Sequence, residues 1–175
     1  MKNETLIELQ NRIYNQNKEL GWHDEPRSFD TFVCLFHSEL SESMEGLRKG
    51  LMDDHLPKYP MFQVELADFV IRCFDYLGSK GVSDYDYINA HVIPKTETML
   101  LASLHEMVSE SFWYDKQMLE EDRNEELMTA IIMSYNYAES NLFSLQEIIN
   151  EKVEYNKHRA DHKRENRAKD GGKKF

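Results

Sequence analysis

The sequence contains few of the residues that cross-link or interrupt a chain. Its 175 residues include two cysteines, four prolines and seven glycines, which excludes a disulfide-stapled scaffold and a proline- or glycine-rich fibrous chain. Cys34 and Cys73 lie in apolar helical stretches and are predicted to be small core residues. No run approaches the roughly 18 consecutive apolar residues of a membrane span, and the start has no signal-peptide apolar region. We therefore expect a cytoplasmic protein without a membrane partner.

Charge is unevenly distributed along the chain. The formal net charge is -11, which argues against general nucleic-acid binding because an acidic surface repels a phosphate backbone. Residues 152–175, however, hold nine Lys or Arg against four Asp or Glu. An acidic body with a basic end can present a cation to one part of a polyphosphate and basic side chains to another. The alternative is an ordinary solvated tail.

Helical signals dominate the pattern, and strand-like alternation is nearly absent. A hydrophobic content of 41% is typical of a folded chain. Ser28 is a plausible N-cap, and Gly21, Gly50 and Gly81 stand where apolar periodicity stops. Helices are expected at about residues 3–19, 29–49 and 62–80. The third has an apolar arc so wide that it is predicted to be central. The fold class is therefore an all-α bundle of helical hairpins.

Two acidic pairs are the most informative feature. Glu39 and Glu42 lie three residues apart on the second helix, and Glu65 and Asp68 have the same spacing on the third, so each pair points from one side of its helix. If the two helices form an antiparallel hairpin, four carboxylates can converge. Such a set suits Mg2+, with Mn2+ as an alternative, rather than zinc. The competing interpretation is a solvated stripe in which Arg72 pairs with a neighbouring acid.

An internal repeat accompanies these pairs. The segment 37–43 is echoed at 105–111, with His, Ser, Glu and Ser at matching positions. Met107 stands where the first copy has Glu39, and Thr129 stands where a weaker match places Asp68. The second copy therefore lacks two of the four ligands and could not bind the same metal. A duplicated helical hairpin explains the repeat, and chance similarity between amphipathic helices is the alternative.

A family resemblance follows from these motifs together with the end of the chain. The acidic pattern and its context at 65–72 are joined by Lys152-x-x-Tyr155-Asn156-x-x-Arg159 and by a Gly-Gly-Lys ending at 171–173. The combination resembles the MazG-like, all-alpha nucleoside triphosphate pyrophosphohydrolases, a superfamily that includes dimeric dUTPases and dCTP pyrophosphatases. It covers about residues 1–82 and 142–175. Residues 84–140 match no short family pattern, and the segment before the Gly-Gly-Lys element is longer than usual.

The resemblance implies Mg2+-dependent hydrolysis of a nucleoside triphosphate to the monophosphate and pyrophosphate, a housekeeping activity of nucleotide metabolism. It implies that the four acids hold the metal, with Glu39 and Glu42 as the catalytic candidates and Glu42 as a candidate base. The implied substrate-binding residues are Lys152, Arg159 and Lys173 for phosphate and Tyr155 and Asn156 for hydrogen bonds to phosphate or sugar. The identity of the nucleotide and the number of metal ions stay open.

Trp22 and His55 lie in loops near the acidic helices. An indole before the metal helix could stack on a base, which makes Trp22 a candidate substrate-binding residue. The alternative is that Trp22 packs its loop onto the core. His55 is predicted to be a surface residue.

The expected organisation is a single domain over residues 1–175, with a metal-binding hairpin, a degenerate second copy and a basic tail at about 28–82, 100–158 and 159–175. Because relatives build sites between hairpins, we expect a homodimer or homotetramer. A ferritin-like di-iron site is excluded because no His has a Glu three residues before it. A non-catalytic nucleotide-binding or helical interaction protein derived from the same family is the alternative function.

Overall fold

The computed structural model describes residues 4–85, 88, 93–169 and 173, and every regular element within them is helical, which confirms the all-α prediction. In that part of the chain, no helix has the length and apolar character to cross a bilayer. The elements are α1 Leu6–Glu19, α2 Phe29–Lys49, α3 Met61–Ser79, α4 Glu97–Lys116, α5 Glu120–Ser140, α6 Leu145–His158, a 3-10 turn Ala160–His162 and the short α7 Arg164–Arg167.

The helix ends follow the local capping chemistry. Gly50 ends α2 in the left-handed region with φ of 62°, as its position in the sequence predicts. Ser28 is the N-cap residue of α2 but makes no side-chain hydrogen bond to the helix backbone. The start of α1 was placed near residue 3, which lies outside the described residues; the helix begins at Leu6, behind a capping box between Thr5 and Glu8.

Helices α2 and α3 form the predicted antiparallel hairpin. Early in α2, the ring of Phe32 lies 5.0 Å from that of Tyr76, late in α3. Late in α2, the Ser43 hydroxyl donates to the carbonyl of Phe62, early in α3, at 2.9 Å. At Gly46 the helices approach so closely that an added Cβ would lie 2.8 Å from the Cβ of Met61. This close packing fixes the register that sets the two acidic pairs opposite each other.

Helix α3 is central, as its wide apolar arc predicts. It packs against α1, α2, α5 and α6, and thirteen of its nineteen residues are buried. One contiguous hydrophobic cluster extends from Leu9 in α1 to Val153 in α6. On such a helix the narrow polar strip has little access to bulk water, so the charged side chains there need partners.

The two cysteines have different environments. Cys73 is buried on α3, as predicted, but Cys34 on α2 is exposed, so the prediction that both are core residues is wrong for Cys34. The reason is helical geometry: Cys34 lies two residues from both Phe32 and Phe36, about 200° around the helix from each. Those two phenylalanines face the core, which turns Cys34 toward solvent.

Helices α4 and α5 form a second hairpin, and α4 also packs against α2. Where they meet, the imidazoles of His37 and His105 stack, and their Nδ1 atoms are 2.8 Å apart. Ser41 and Ser109 donate to the carbonyls of these histidines at 2.6 and 2.8 Å. These matched contacts agree with a duplicated hairpin, which stays a prediction because a serine in any helix can bond the carbonyl four residues earlier.

The chain after α6 folds back over the loop between α1 and α2. The Arg164 guanidinium makes two 2.9 Å hydrogen bonds to the carboxylate of Asp24. Arg167 donates to the carbonyl of Gly21 at 2.7 Å. One ion pair and one hydrogen bond therefore hold this part of the basic tail against the loop, although Arg164 itself stays exposed.

Candidate functional site

Three of the four predicted acidic ligands meet between α2 and α3. Carboxylate oxygens of Glu39, Glu42 and Glu65 lie within 4.8 Å of one another. The spacing of three residues on α2 places Glu39 and Glu42 on one side of that helix, and the antiparallel hairpin brings Glu65 opposite them. Glu39 and Glu65 are both 7% exposed, while Glu42 is exposed. The cluster therefore has a buried floor and an open side.

These oxygens fit a hard divalent cation after a small inward movement. Mg2+ binds oxygen at about 2.0 to 2.1 Å, so two oxygens on one ion are at most about 4.2 Å apart. The observed limit of 4.8 Å is wider by well under an ångström, which side-chain rotation can supply. Oxygen-only ligands favour Mg2+ or Mn2+ over softer metals.

Asp68, the fourth predicted ligand, pairs with a lysine from α6. Its carboxylate lies 2.9 Å from the ammonium of Lys152, whose side chain is 2% exposed. On the other side of the cluster, the Arg72 Nε donates to the carboxylate of Glu39 at 2.8 Å, which is the pairing considered above as an alternative. Two of the four acids are thus partly neutralised, Glu39 by Arg72 and Asp68 by Lys152.

Burial and mutual repulsion hold protons on this cluster. Desolvation, followed by the charge of Asp68, raises the pKa of Glu65 to about 9, against an opposing effect of Lys152. Desolvation also raises the pKa of Glu39, although Arg72 opposes the shift. In the metal-free protein near neutral pH, Glu65 therefore carries a proton, and a bound cation would displace it.

This proton balance predicts how magnesium stabilisation depends on pH. Because the folded pKa of Glu65 lies above its ordinary value of 4.5, the folded protein binds more protons than the unfolded chain between those values. The free energy of unfolding of the metal-free protein should then fall as pH rises through that window. Binding of Mg2+ requires the deprotonated form, so the Mg2+-induced rise in melting temperature should be larger at about pH 8.5 than at about pH 6.

The measurement is a thermal melt with Mg2+ or with chelator at each pH. Glu45→Gln is the matched control, since Glu45 is on α2 and forms ion pairs with Arg48 and Lys49 near the surface. Glu65→Gln should remove most of the pH dependence, whereas Glu45→Gln should retain it. A magnesium-induced shift of equal size at both pH values in the wild type would contradict the assignment.

A cavity of about 320 Å3 joins the acidic cluster to the basic side chains of the C-terminal region. Nine of the ten predicted site residues line it. They are Trp22, Glu39, Glu42, Glu65, Asp68, Lys152, Asn156, Arg159 and Lys173. The tenth, Tyr155, lines a neighbouring cavity, and its ring lies 4.8 Å from that of His55. Residues 171 and 172 of the Gly-Gly-Lys element lie outside the described residues.

At the basic end of this cavity, two cationic side chains contact the same carboxylate. Arg159 donates to both oxygens of Asp161, at 3.0 and 2.7 Å, and the Lys173 ammonium lies 3.0 Å from the same side chain. Together these cations hold the pKa of Asp161 well below its usual range. Nearby, the side-chain Oδ1 of Asn156 is buried, and none of the described residues donates a hydrogen bond to it. An anionic ligand would find two cations there that are already close together.

Trp22 is flanked by groups from the C-terminal segment. The Arg167 guanidinium lies 3.9 Å from the centre of the indole, and the ring of His162 lies 5.3 Å away. These contacts pack Trp22 against the C-terminal segment and not against the core. Trp22 also lines the cavity, and base stacking stays a prediction.

Sequence reasoning missed several residues that line the same cavity. Arg27 and Asp75 come from the loop before α2 and the later part of α3, and His162 comes from the 3-10 turn. Burial, together with Arg159, lowers the pKa of His162 to about 4. His55, predicted to be a surface residue, is only partly exposed and also lines the cavity. One signal was available for Asp75, which lies on the polar strip of a buried helix.

A second acidic cluster, Asp53, Asp54 and His55, also has ligand atoms within 4.8 Å of one another. One Asp53 oxygen accepts backbone hydrogen bonds from His55 and Leu56 at 2.9 and 2.6 Å. That carboxylate therefore has a structural role in the loop between α2 and α3.

Comparison with known proteins adds no relative: no family model matches the chain, and none of the curated proteins or solved structures searched is similar to it. The assignment of a function therefore depends on the site itself and on the motifs that form it.

Proposed function

We propose that this protein is a Mg2+-dependent nucleoside triphosphate pyrophosphohydrolase that converts a nucleoside triphosphate to the monophosphate and pyrophosphate. The observation that supports it is the single cavity in which three clustered carboxylates face Lys152, Arg159 and Lys173. Membership of the MazG-like superfamily is part of the same proposal and depends on the motifs described above.

In this proposal, the metal-binding acids and the basic side chains contact different parts of the substrate's polyphosphate. When bound, Mg2+ would neutralise charge that develops on the phosphate oxygens and help to orient the attacking water. Arg159 can bind two phosphate oxygens at once, and Lys173 adds a second positive charge. Substrate phosphate would replace Asp161 as their partner. Asn156, whose Oδ1 has no partner in the described part of the chain, can accept a hydrogen bond from the sugar.

The chemical step needs a base for the water. The water oxygen would form a bond to the α-phosphorus, the bond from that phosphorus to the bridging oxygen would break, and pyrophosphate would leave with the bond's electrons. Glu42 is the most exposed of the three clustered acids and bonds only the Ser38 hydroxyl among its described neighbours, at 3.0 Å. It is therefore the carboxylate best placed to accept the proton from water.

A substrate panel tests the proposal. Purified protein is incubated with Mg2+ and each ribo- and deoxyribonucleoside triphosphate, together with common modified nucleotides, and pyrophosphate release is measured. At least one nucleotide should be hydrolysed to the monophosphate, with activity lost on chelation. If none is turned over, the enzyme proposal is wrong.

A non-catalytic nucleotide-binding protein is the second candidate, and one observation favours it. Arg72 and Lys152 already neutralise two of the four acids, which reduces the charge available to hold a catalytic cation. Calorimetric titration with a non-hydrolysable triphosphate distinguishes the candidates when combined with the panel. Binding without turnover of any nucleotide supports the second candidate.

The proposal also includes an oligomeric state and a cellular compartment. We place the protein in the cytoplasm, where nucleoside triphosphates are available, and expect a homodimer or homotetramer. Large apolar side chains at several turns and helix ends support self-association, among them Trp113, Met118 and Leu142, which are 56%, 90% and 94% exposed. Light scattering after gel filtration measures the mass directly.

A further inference from the structure

A second cavity of about 420 Å3 has Arg27 in its lining, which also lines the cavity of the acidic cluster. Its walls come from the loop before α2, the end of α3 and the ends of α4 and α5 where these helices meet. The side chains that matter are Arg27, Tyr76, Lys80, Asp115 and Arg123. None of them was singled out by the sequence motifs.

Two hydrogen-bond donors on side chains of this lining have no acceptor among the residues that the structure describes. Tyr76 is 2% exposed, yet its hydroxyl has no hydrogen-bond partner, and neither does the buried Nη2 of Arg27. The carboxylate nearest to that Nη2 belongs to Asp75, at 3.7 Å, which is beyond hydrogen-bonding distance. An unsatisfied buried donor costs about 1 to 3 kcal/mol, so two of them in one cavity call for an explanation by a ligand.

Most acidic side chains around the cavity are bonded to other groups, so the Tyr76 hydroxyl and Arg27 Nη2 can bind a ligand. Asp115 is bound by Arg123 at 2.7 Å, and Glu120 is bound by the same guanidinium at 2.6 Å. The carboxylate of Asp75 accepts a hydrogen bond from His23 Nε2 at 2.7 Å. The remaining acid in the lining is Glu25, which is exposed.

Further positive charge surrounds the two free donors. The Lys80 ammonium lies 5.5 Å from the centre of the Tyr76 ring, and its nearest acid oxygen, on Glu120, is 3.9 Å away. The Arg27 guanidinium lies 4.5 Å from the centre of the Phe32 ring. The cavity also meets the N-terminus of α2, where Ser28 makes no side-chain cap, so the positive end of a helix dipole faces the same space.

We propose that this second cavity binds a phosphate group, either free or carried by a small molecule, through Arg27 Nη2, the Tyr76 hydroxyl and the Lys80 ammonium. All three are donors, and they come from a loop and from two positions near the end of α3. A tetrahedral oxyanion offers acceptor oxygens in several directions, which suits donors contributed to one cavity by different parts of the chain. The site is separate from the proposed hydrolytic centre, although Arg27 lines both cavities.

The test uses inorganic phosphate as the probe, with chelator present so that metal binding does not contribute. The wild-type melting temperature should rise saturably with phosphate and stay unchanged with potassium chloride at matched ionic strength. Tyr76→Phe removes one donor atom, so it should melt no lower than wild type without phosphate and bind phosphate about tenfold more weakly. Ribose 5-phosphate in a parallel titration separates the two sources: tighter binding than phosphate indicates a phosphorylated small molecule, and equal binding indicates free phosphate.

Two further variants test phosphate binding at this cavity even if Tyr76→Phe folds poorly. Lys80→Gln changes a side chain that is 38% exposed, so it should fold normally and still weaken phosphate binding. Lys49→Gln, at an exposed position outside both cavities, is the control and should bind phosphate as wild type does. The proposal is overturned if wild type shows no saturable binding, or if Lys80→Gln binds phosphate with the affinity of wild type. It is also overturned if chloride produces the same shift.

Discussion

Replacing Glu39 or Glu42 by glutamine should lower pyrophosphohydrolase turnover by about a thousandfold. Each substitution removes one negative ligand from the cluster while preserving side-chain size. Stabilisation by a metal ion contributes several kcal/mol to such a transition state, and each 1.36 kcal/mol corresponds to about a tenfold change in rate. The measurement is pyrophosphate release at saturating nucleotide and Mg2+.

The two variants should differ in their effect on folding. Glu42 is exposed and its described partner is the Ser38 hydroxyl, so Glu42→Gln should melt close to wild type. Glu39→Gln weakens the bond from Arg72, so a modest stability change should accompany the loss of activity. Glu45→Gln, on the same helix but outside the cavity, is the activity control. Wild-type rates in both Glu39→Gln and Glu42→Gln would refute the assigned metal site.

Replacing Lys152 by methionine should lower the free energy of unfolding by about 3 kcal/mol, because removing one partner of a buried ion pair leaves an uncompensated charge. Lys152 is 2% exposed, and its partner Asp68 lies 2.9 Å away. The charge of Asp53 also acts on this lysine. Denaturant unfolding with chelator present measures the change.

A double-mutant cycle separates charge pairing from packing. In Asp68→Asn with Lys152→Met, both charges are absent, so the double variant should lose less stability than the sum of the single variants. Lys157→Met, on the exposed part of the same helix, should change stability by less than about 0.5 kcal/mol. Additive losses in the cycle would show that Lys152 acts through its volume instead of its charge.

Local patterns were sufficient to predict the helices that carry the acids. The boundaries of α2 and α3 lie within one residue of those expected, because Gly50 and Gly81 end the helical periodicity and the apolar residues repeat with the helical period. The convergence of Glu39, Glu42 and Glu65 followed from their spacing and from the short hairpin connection. The basic residues of α6 could be assigned to the same site only through the family motif.

The pairings inside the site could not be predicted in the same way. Asp68 and Lys152 are distant in sequence and meet only because α6 packs on α3. The role of Asp161 as the partner of Arg159 and Lys173 depends on a turn after α6 whose geometry has no periodic signal. The outward position of Tyr155 depends on the rotation of α6 about its axis, which core packing determines.

The contact between His37 and His105 limits how alike the two hairpins can be. A hydrogen bond between two identical ring atoms 2.8 Å apart requires a hydrogen on one Nδ1 and a lone pair on the other. Desolvation lowers the pKa of both imidazoles, which favours their neutral forms. The two rings must therefore adopt opposite tautomers. Even two hairpins of identical sequence would differ at this point. NMR of labelled histidines should resolve two distinct patterns of ring-nitrogen signals.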